Sequence, residues 1–139
     1  MLEEQTFSRV FYDGSVRTSH GFLEAMQKPR NLPVFYFEGT SPMGFAWLNG
    51  INGGIAFAHF CGLRGARAVE LGRMTLDYWF SAFRFLHVVM GTMPASNKLA
   101  LRFVKRLGFT IVGEVPGMLF DAYEGKRVPG VISYRGRDA

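Results

Sequence analysis

The sequence predicts an α/β (α+β) fold in which a mixed β-sheet is flanked by helices. Three observations carry this. The front half holds three strand-like runs joined by turns rich in glycine and asparagine. From residue 64 onward, two helical periodicities alternate with apolar runs, giving a β-α-β-α-β order. The 139 residues are 48% hydrophobic and 15% aromatic, with 14 Phe, which is enough apolar material to bury a core of rings.

The elements follow in order. Phe7, Val10 and Phe11 have helical spacing, as do Val16, His20, Leu23 and Met26, with Gly14 between the groups and Pro29 and Pro33 closing the region. Val34 to Glu38 is β-branched and aromatic, and Gly39-Thr40-Ser41-Pro42 reads as a turn. Met43 to Leu48 alternates Met43, Phe45 and Trp47 against Gly44, Ala46 and Leu48. Asn49-Gly50 and Asn52-Gly53-Gly54 supply hairpin residues before a third strand, Ile55 to Cys61.

Arg64 to Phe83 reads as one long helix, with Ala68, Leu71, Thr75, Tyr78 and Ala82 on its apolar face, widened by Val69, Leu76, Trp79 and Phe83. Leu86 to Met90 is a continuous apolar run, as in a strand covered on both sides. Ser96 is placed to cap a shorter helix that buries Ala100, Phe103, Val104 and Leu107 and ends at Gly108. Phe109 to Val115 and Val131 to Arg135 are the last strands, separated by a polar excursion with Asp121, Tyr123 and Lys126. With no repeat, linker or low-complexity tract, residues 1–139 are expected to form a single domain.

Composition narrows the function classes. No run is long enough to span a membrane, and Glu3 and Glu4 stand where a secretory signal would be basic and apolar. Cys61 has no second cysteine to pair with, and no Cys/His spacing suits a metal, so a reducing cytoplasm is the expected compartment. The net charge of +5 suits an anionic partner: nucleic acid, a membrane surface or a phosphorylated cofactor.

From its second strand to its last, roughly residues 34 to 135, the chain resembles the GNAT superfamily of N-acetyltransferases. Asn97-Lys98-Leu99-Ala100 followed by Leu107-Gly108-Phe109 looks like the family's N-x-x-A … L-G-F segment. His59 to Val69, HFCGLRGARAV, looks like its strand and phosphate loop; Arg64 and Gly65 match, while Arg67 and Val69 stand where the family has glycines. The closest likeness in style is to protein-N-terminal (ribosomal-protein) acetyltransferases, since Val104 occupies the place of the family's usual proton-donating Tyr.

The resemblance implies a centrally splayed sheet and acetyl-CoA as co-substrate, without a metal. It places the main chain of His59, Phe60 and Cys61 beside the pantetheine arm. Loop residues Arg64, Gly65, Ala66, Arg67, Ala68 and Val69 would meet the pyrophosphate at a helix N-terminus. Asn97 and Arg102 complete the expected cofactor contacts, and Lys98, Lys105 and Arg106 share that helix's basic face, which reads first as a solvated surface and second as a contact for the cofactor's 3′-phosphate or another anion.

For the base, His59 titrates in a useful range and lies on the strand by the acyl site, though a lone histidine on an apolar strand also fits a core role. Tyr123 lies in the loop expected to wall the amine pocket. Glu70 reads as solvated and Cys61 as a buried thiol without His/Asp partners. The expected function is direct transfer of acetyl from acetyl-CoA to a primary amine, on a small molecule or a protein N-terminus. The alternative is a catalytically inactive GNAT-like binding or assembly module of a bacterial or phage kind. A nucleic-acid binder ranks last, for want of a stacking motif or recognition helix. A homodimer is left open.

Overall fold

A computed structural model describes residues 19–28, 30–61 and 67–138. A short helix α1 (Ser19–Met26) leads into three antiparallel strands, β1 (Leu32–Glu38), β2 (Ser41–Asn52) and β3 (Ile55–Cys61). Then come α2 (Arg67–Ala82), β4 (Val88–Pro94), α3 (Lys98–Arg106), β5 (Thr110–Asp121) and β6 (Lys126–Gly136). The six strands form one sheet in the order β1-β2-β3-β4-β6-β5. Only β3 and β4 are parallel, because α2 carries the chain back across the sheet between them. β6 enters between β4 and β5, antiparallel to both. The mixed α/β sheet with helices is thus as expected. The helical spacing of Phe7, Val10, Phe11 and Val16 lies outside the described residues.

Register sorts the side chains onto two faces. Val34 and Ala46 pair, as do Leu48 and Ala58, and Ala56 and Val89, and all point toward α2 and α3. There they meet Leu76, Trp79 and Phe80 of α2 and Val104 and Leu107 of α3, forming one core with Val131 and Phe109. The far face carries Phe35, Phe45, Trp47, Phe57, His59 and Met90.

Several boundaries differ from expectation for identifiable reasons. β1 begins at Leu32 and takes in Pro33, which an edge strand tolerates because one side makes no ladder bonds. Asn49-Gly50 lies inside β2: Gly50 has φ +58° at a register shift, so the pair forms an irregularity and the turn falls at Gly53-Gly54. The α2 core stripe is Ala68, Gly72, Thr75, Leu76, Trp79 and Phe80, one step round from that expected, and it leaves Tyr78 55% exposed and Ala82 at the surface.

β4 starts at Val88 and continues to Pro94, because β6 pairs along it as far as Pro94↔Gly130. Its burial alternates, so it is covered fully on the helix face only. The cap of α3 is Asn97, not Ser96: Asn97 Oδ1 accepts the Ala100 N–H at 3.2 Å. Gly108, with φ +90°, closes that helix as expected. β5 and β6 both run further than predicted and form a long hairpin, with the polar excursion as its tip.

Candidate active site: the gap between β3 and β4

The parallel pairing of β3 and β4 stops early. It holds at Ile55↔Val88, Ala56↔Val89 and Phe57↔Met90, and no pair follows, although β3 continues to Cys61 and β4 to Pro94. Past that point, among the described residues, β3 pairs with β2 through Trp47↔His59 and Phe45↔Cys61, and β4 pairs with β6. Aromatic bulk sits at the fork. Phe60, on the helix face of β3, packs against Trp79 at 5.9 Å and edge-on to Phe103 at 5.5 Å. Among the described residues the ladder between the two strands ends there while both strands run on, and a break of this kind between parallel strands suits an extended ligand carrying amides of its own.

The mouth of this gap gathers three other features. It opens at the C-terminal ends of two parallel strands, the usual place for ligands in α/β sheets. β3 leads there toward the N-terminus of α2, and β4 leads to the capped N-terminus of α3. The β5–β6 hairpin tip lies at the same end, beyond Pro94↔Gly130. A surface cavity of about 390 Å³ between His87, Gly108 and Arg135 lies at the opposite end and shares no residue with the gap.

The expected site residues fall as follows. His59 is half-buried on the far face, its ring stacked on Trp47 at 4.6 Å and 17°. Its Nε2 lies 2.8 Å from Asn49 Oδ1. Phe60 turns to the helices, and Cys61 is buried opposite Phe45. Arg64, Gly65 and Ala66 lie outside the described residues. Arg67 is exposed at the first position of α2, whereas Ala68 is buried and Val69 packs against the core, so their side chains serve the helix–sheet contact.

Asn97 spends its carbonyl oxygen on the α3 cap, which leaves its amide group as the donor end. Arg102 is exposed on α3, together with Lys98, Lys105 and Arg106. Val104 is 6% exposed within the core, so its position holds no proton donor. Tyr123 sits in the hairpin tip, where Asp121 Oδ1 accepts its N–H at 2.9 Å and that of Glu124 at 3.0 Å. The gap therefore brings together β3 and the entries to α2 and α3. Tyr123 stands apart from His59, across β4 and β6.

Sequence reasoning missed Asn49 and Trp47. Asn49 was read as a turn residue beside Gly50; once the turn is set at Gly53-Gly54, its pairing with Phe57 makes it the diagonal neighbour of His59 on one face. Tyr36 was also missed. Its hydroxyl bonds Thr75 Oγ1, which itself donates to Leu71 O at 2.8 Å. Burial raises the Tyr36 pKa, and the Thr75 hydrogen bond offsets part of that rise.

A mixed sheet whose one parallel pair splays beside two helix N-termini is the acyl-CoA N-acyltransferase (GNAT) fold. No protein-family model matches the chain, and no curated protein matches it in sequence. Solved structures do. Spermidine N-acetyltransferase from Vibrio cholerae in complex with CoA and spermine superposes with a TM-score of 0.79 at 15% identity, covering 98% of this chain and 85% of that one. A mutant of the Vibrio cholerae enzyme SpeG gives 0.71 at 18% identity over 84% and 72%. A chimera of the same enzyme gives 0.72 at 16% over 86% and 73%. At these identities the likeness establishes the fold. Among the described residues, no helix is long and apolar enough to cross a membrane.

Proposed function

We propose that the protein is an N-acetyltransferase that moves acetyl from acetyl-CoA directly to a primary amine. The carrying observation is the gap: the parallel β3–β4 ladder ends at Phe57↔Met90 while both strands run on, and it opens beside the N-termini of α2 and α3. The structural likeness to an enzyme solved with CoA and spermine supports the same reading. The main chain at His59, Phe60 and Cys61 flanks the pantetheine arm. The segment from Arg64 into the first turn of α2 at Arg67, Ala68 and Val69 meets the pyrophosphate with main-chain N–H groups and with the charge of Arg64 and Arg67. The Asn97 amide and Arg102 reach the cofactor from α3.

Held in the gap, the thioester carbonyl faces strand N–H groups that stabilise the developing oxyanion. The amine nitrogen attacks the carbonyl carbon, the C–N bond forms, and the C–S bond breaks with its electron pair leaving on sulfur. The proton lost by the amine passes to His59, and Tyr123 walls the acceptor side from the hairpin tip. With Val104 apolar and buried, the thiolate leaves without a side-chain acid, as a good leaving group can.

The buried valine also favours a second reading, a GNAT-fold binding module without turnover. Calorimetry with acetyl-CoA and a thiol-release assay over a panel of amines separate the two. Transfer to any amine supports the enzyme. Binding without release supports the module, and no binding at millimolar cofactor contradicts the enzyme and leaves the module.

A further inference from the structure

We infer that the cavity between His87, Gly108 and Arg135 is an anion site, taking a small molecule that bears a phosphate or carboxylate group, with Arg135 as its main ligand. The site lies at the end of the sheet away from the gap and stands independently of the proposed acetyl transfer.

β5 begins at Thr110, opposite Tyr134, whereas β6 runs on to Gly136. Beside that overhang, where α3 turns into β5 at Gly108, lies the cavity of about 390 Å³. It is far larger than the roughly 30 Å³ share of one water and falls within the range of small-molecule sites. Two arginines line it, and they are used differently. Arg137 is committed: its guanidinium donates to the carbonyl oxygens of Phe80, Phe83 and Leu86. Arg135 Nη1 is shielded from solvent and has no hydrogen-bond partner among the described residues. A buried cationic donor without an acceptor is costly.

Charge balance points the same way. Arg135 Cζ lies 5.9 Å from the centroid of the Phe80 ring and Arg137 Cζ lies 5.4 Å from it, so two like charges share one ring. Among the described residues neither arginine is paired with a carboxylate; Asp138, at the rim, is exposed and in no ion pair. An oxyanion answers both deficits, accepting from the Arg135 fork and neutralising the pair. Gly108 keeps the approach clear, since a Cβ built there would stand 3.5 Å from Arg135 Nε and 3.9 Å from Cδ. Thr110 and Tyr134, paired across β5 and β6, add hydroxyl-bearing side chains to the wall.

The test titrates the full chain with sodium phosphate and, separately, with sodium acetate, at an ionic strength held constant with sodium chloride. Backbone amides are followed by NMR. Saturable shifts centred on Gly108, Thr110, Arg135 and Gly136 are expected with at least one of the two anions. The anion that saturates at the lower concentration identifies the group the site recognises, phosphate or carboxylate. Arg135→Gln keeps a polar side chain without the charge and is expected to weaken that binding about tenfold or more. Arg135→Lys, which keeps the charge but not the fork, is expected to fall between the two. Saturable binding elsewhere on the surface, shifts that sodium chloride alone reproduces, or binding untouched by Arg135→Gln would overturn the inference. The wild-type titration decides by itself if a variant does not fold: absence of saturable shifts at this cavity with both anions means that it holds solvent only.

Discussion

Gly72 of α2 lies so close to Leu107 of α3 that a Cβ built on it would stand 2.7 Å from Leu107 Cδ2 and 3.0 Å from Phe103 Cζ. This contact sets the spacing of the two helices over the sheet, and with it the wall behind the gap. Leu107 is 2% exposed, so its methyls have little room to retreat. Gly72→Ala is expected to destabilise the fold by about 1–2 kcal/mol, overpacking outweighing the helix-propensity gain of up to about 1 kcal/mol. Urea unfolding measures it.

Arg137 forms the other structural clamp. Its guanidinium donates to Phe80 O at 2.5 Å, Phe83 O at 2.9 Å and Leu86 O at 2.6 Å, gathering the carbonyls at and beyond the C-terminal end of α2. A cation there also complements the helix dipole. Arg137→Ala is expected to cost about 2 kcal/mol, and Arg137→Lys to recover less than half, because an ammonium cannot fork across three carbonyls. Thermal and urea unfolding of the two variants check the ranking.

Asn97 separates capping from cofactor contact. Asn97→Ala is expected to lose about 1 kcal/mol with the cap. Asn97→Asp retains the accepting oxygen and so retains stability, but it replaces the amide donors with a negative charge. If the amide meets acetyl-CoA, Asn97→Asp raises the KM for acetyl-CoA at nearly wild-type stability, and steady-state kinetics beside unfolding curves distinguish the two roles.

Tyr36 predicts an alkaline limb of stability. Its pKa is raised in the folded protein above the ordinary value of 10.0, so the protonated hydroxyl favours the folded state. That contribution is whole below about 10 and is lost as pH rises through the higher folded value. Tyr36→Phe has no hydroxyl to ionise. Its stability is expected to fall less steeply than that of the wild type above pH 10, as read by urea midpoints across the alkaline range.

Legibility in the sequence followed local regularity. β3 was read at its observed bounds because Ile55 to Cys61 sits between a Gly-Gly turn and a clear change of pattern. The capping of α3 was displaced by a single position, since Ser96 and Asn97 both cap helices well. β5 was cut short because its bulges, between Ile111 and Gly113 and between Val115 and Leu119, break the alternation that marks a strand, and β6 because Pro129-Gly130 interrupts its apolar run. The insertion of β6 between β4 and β5 is a long-range pairing that no local pattern encodes.

The gap itself was expected only through the family resemblance, because a loss of pairing leaves no periodicity to read. The Asn49–His59 contact needed a register, and turn chemistry at Asn49-Gly50 pointed to the wrong one.

The central claim is that β3 past Phe57↔Met90 receives acetyl-CoA, and amide hydrogen exchange along Ala58 to Cys61 tests it most directly. With saturating acetyl-CoA, the gap-facing amides of this stretch are expected to slow by about tenfold or more, while amides in the β1–β2 ladder change little. Saturable binding that leaves this stretch unprotected, with slowing instead around His87 and Arg135 at the far end of the sheet, would contradict the account.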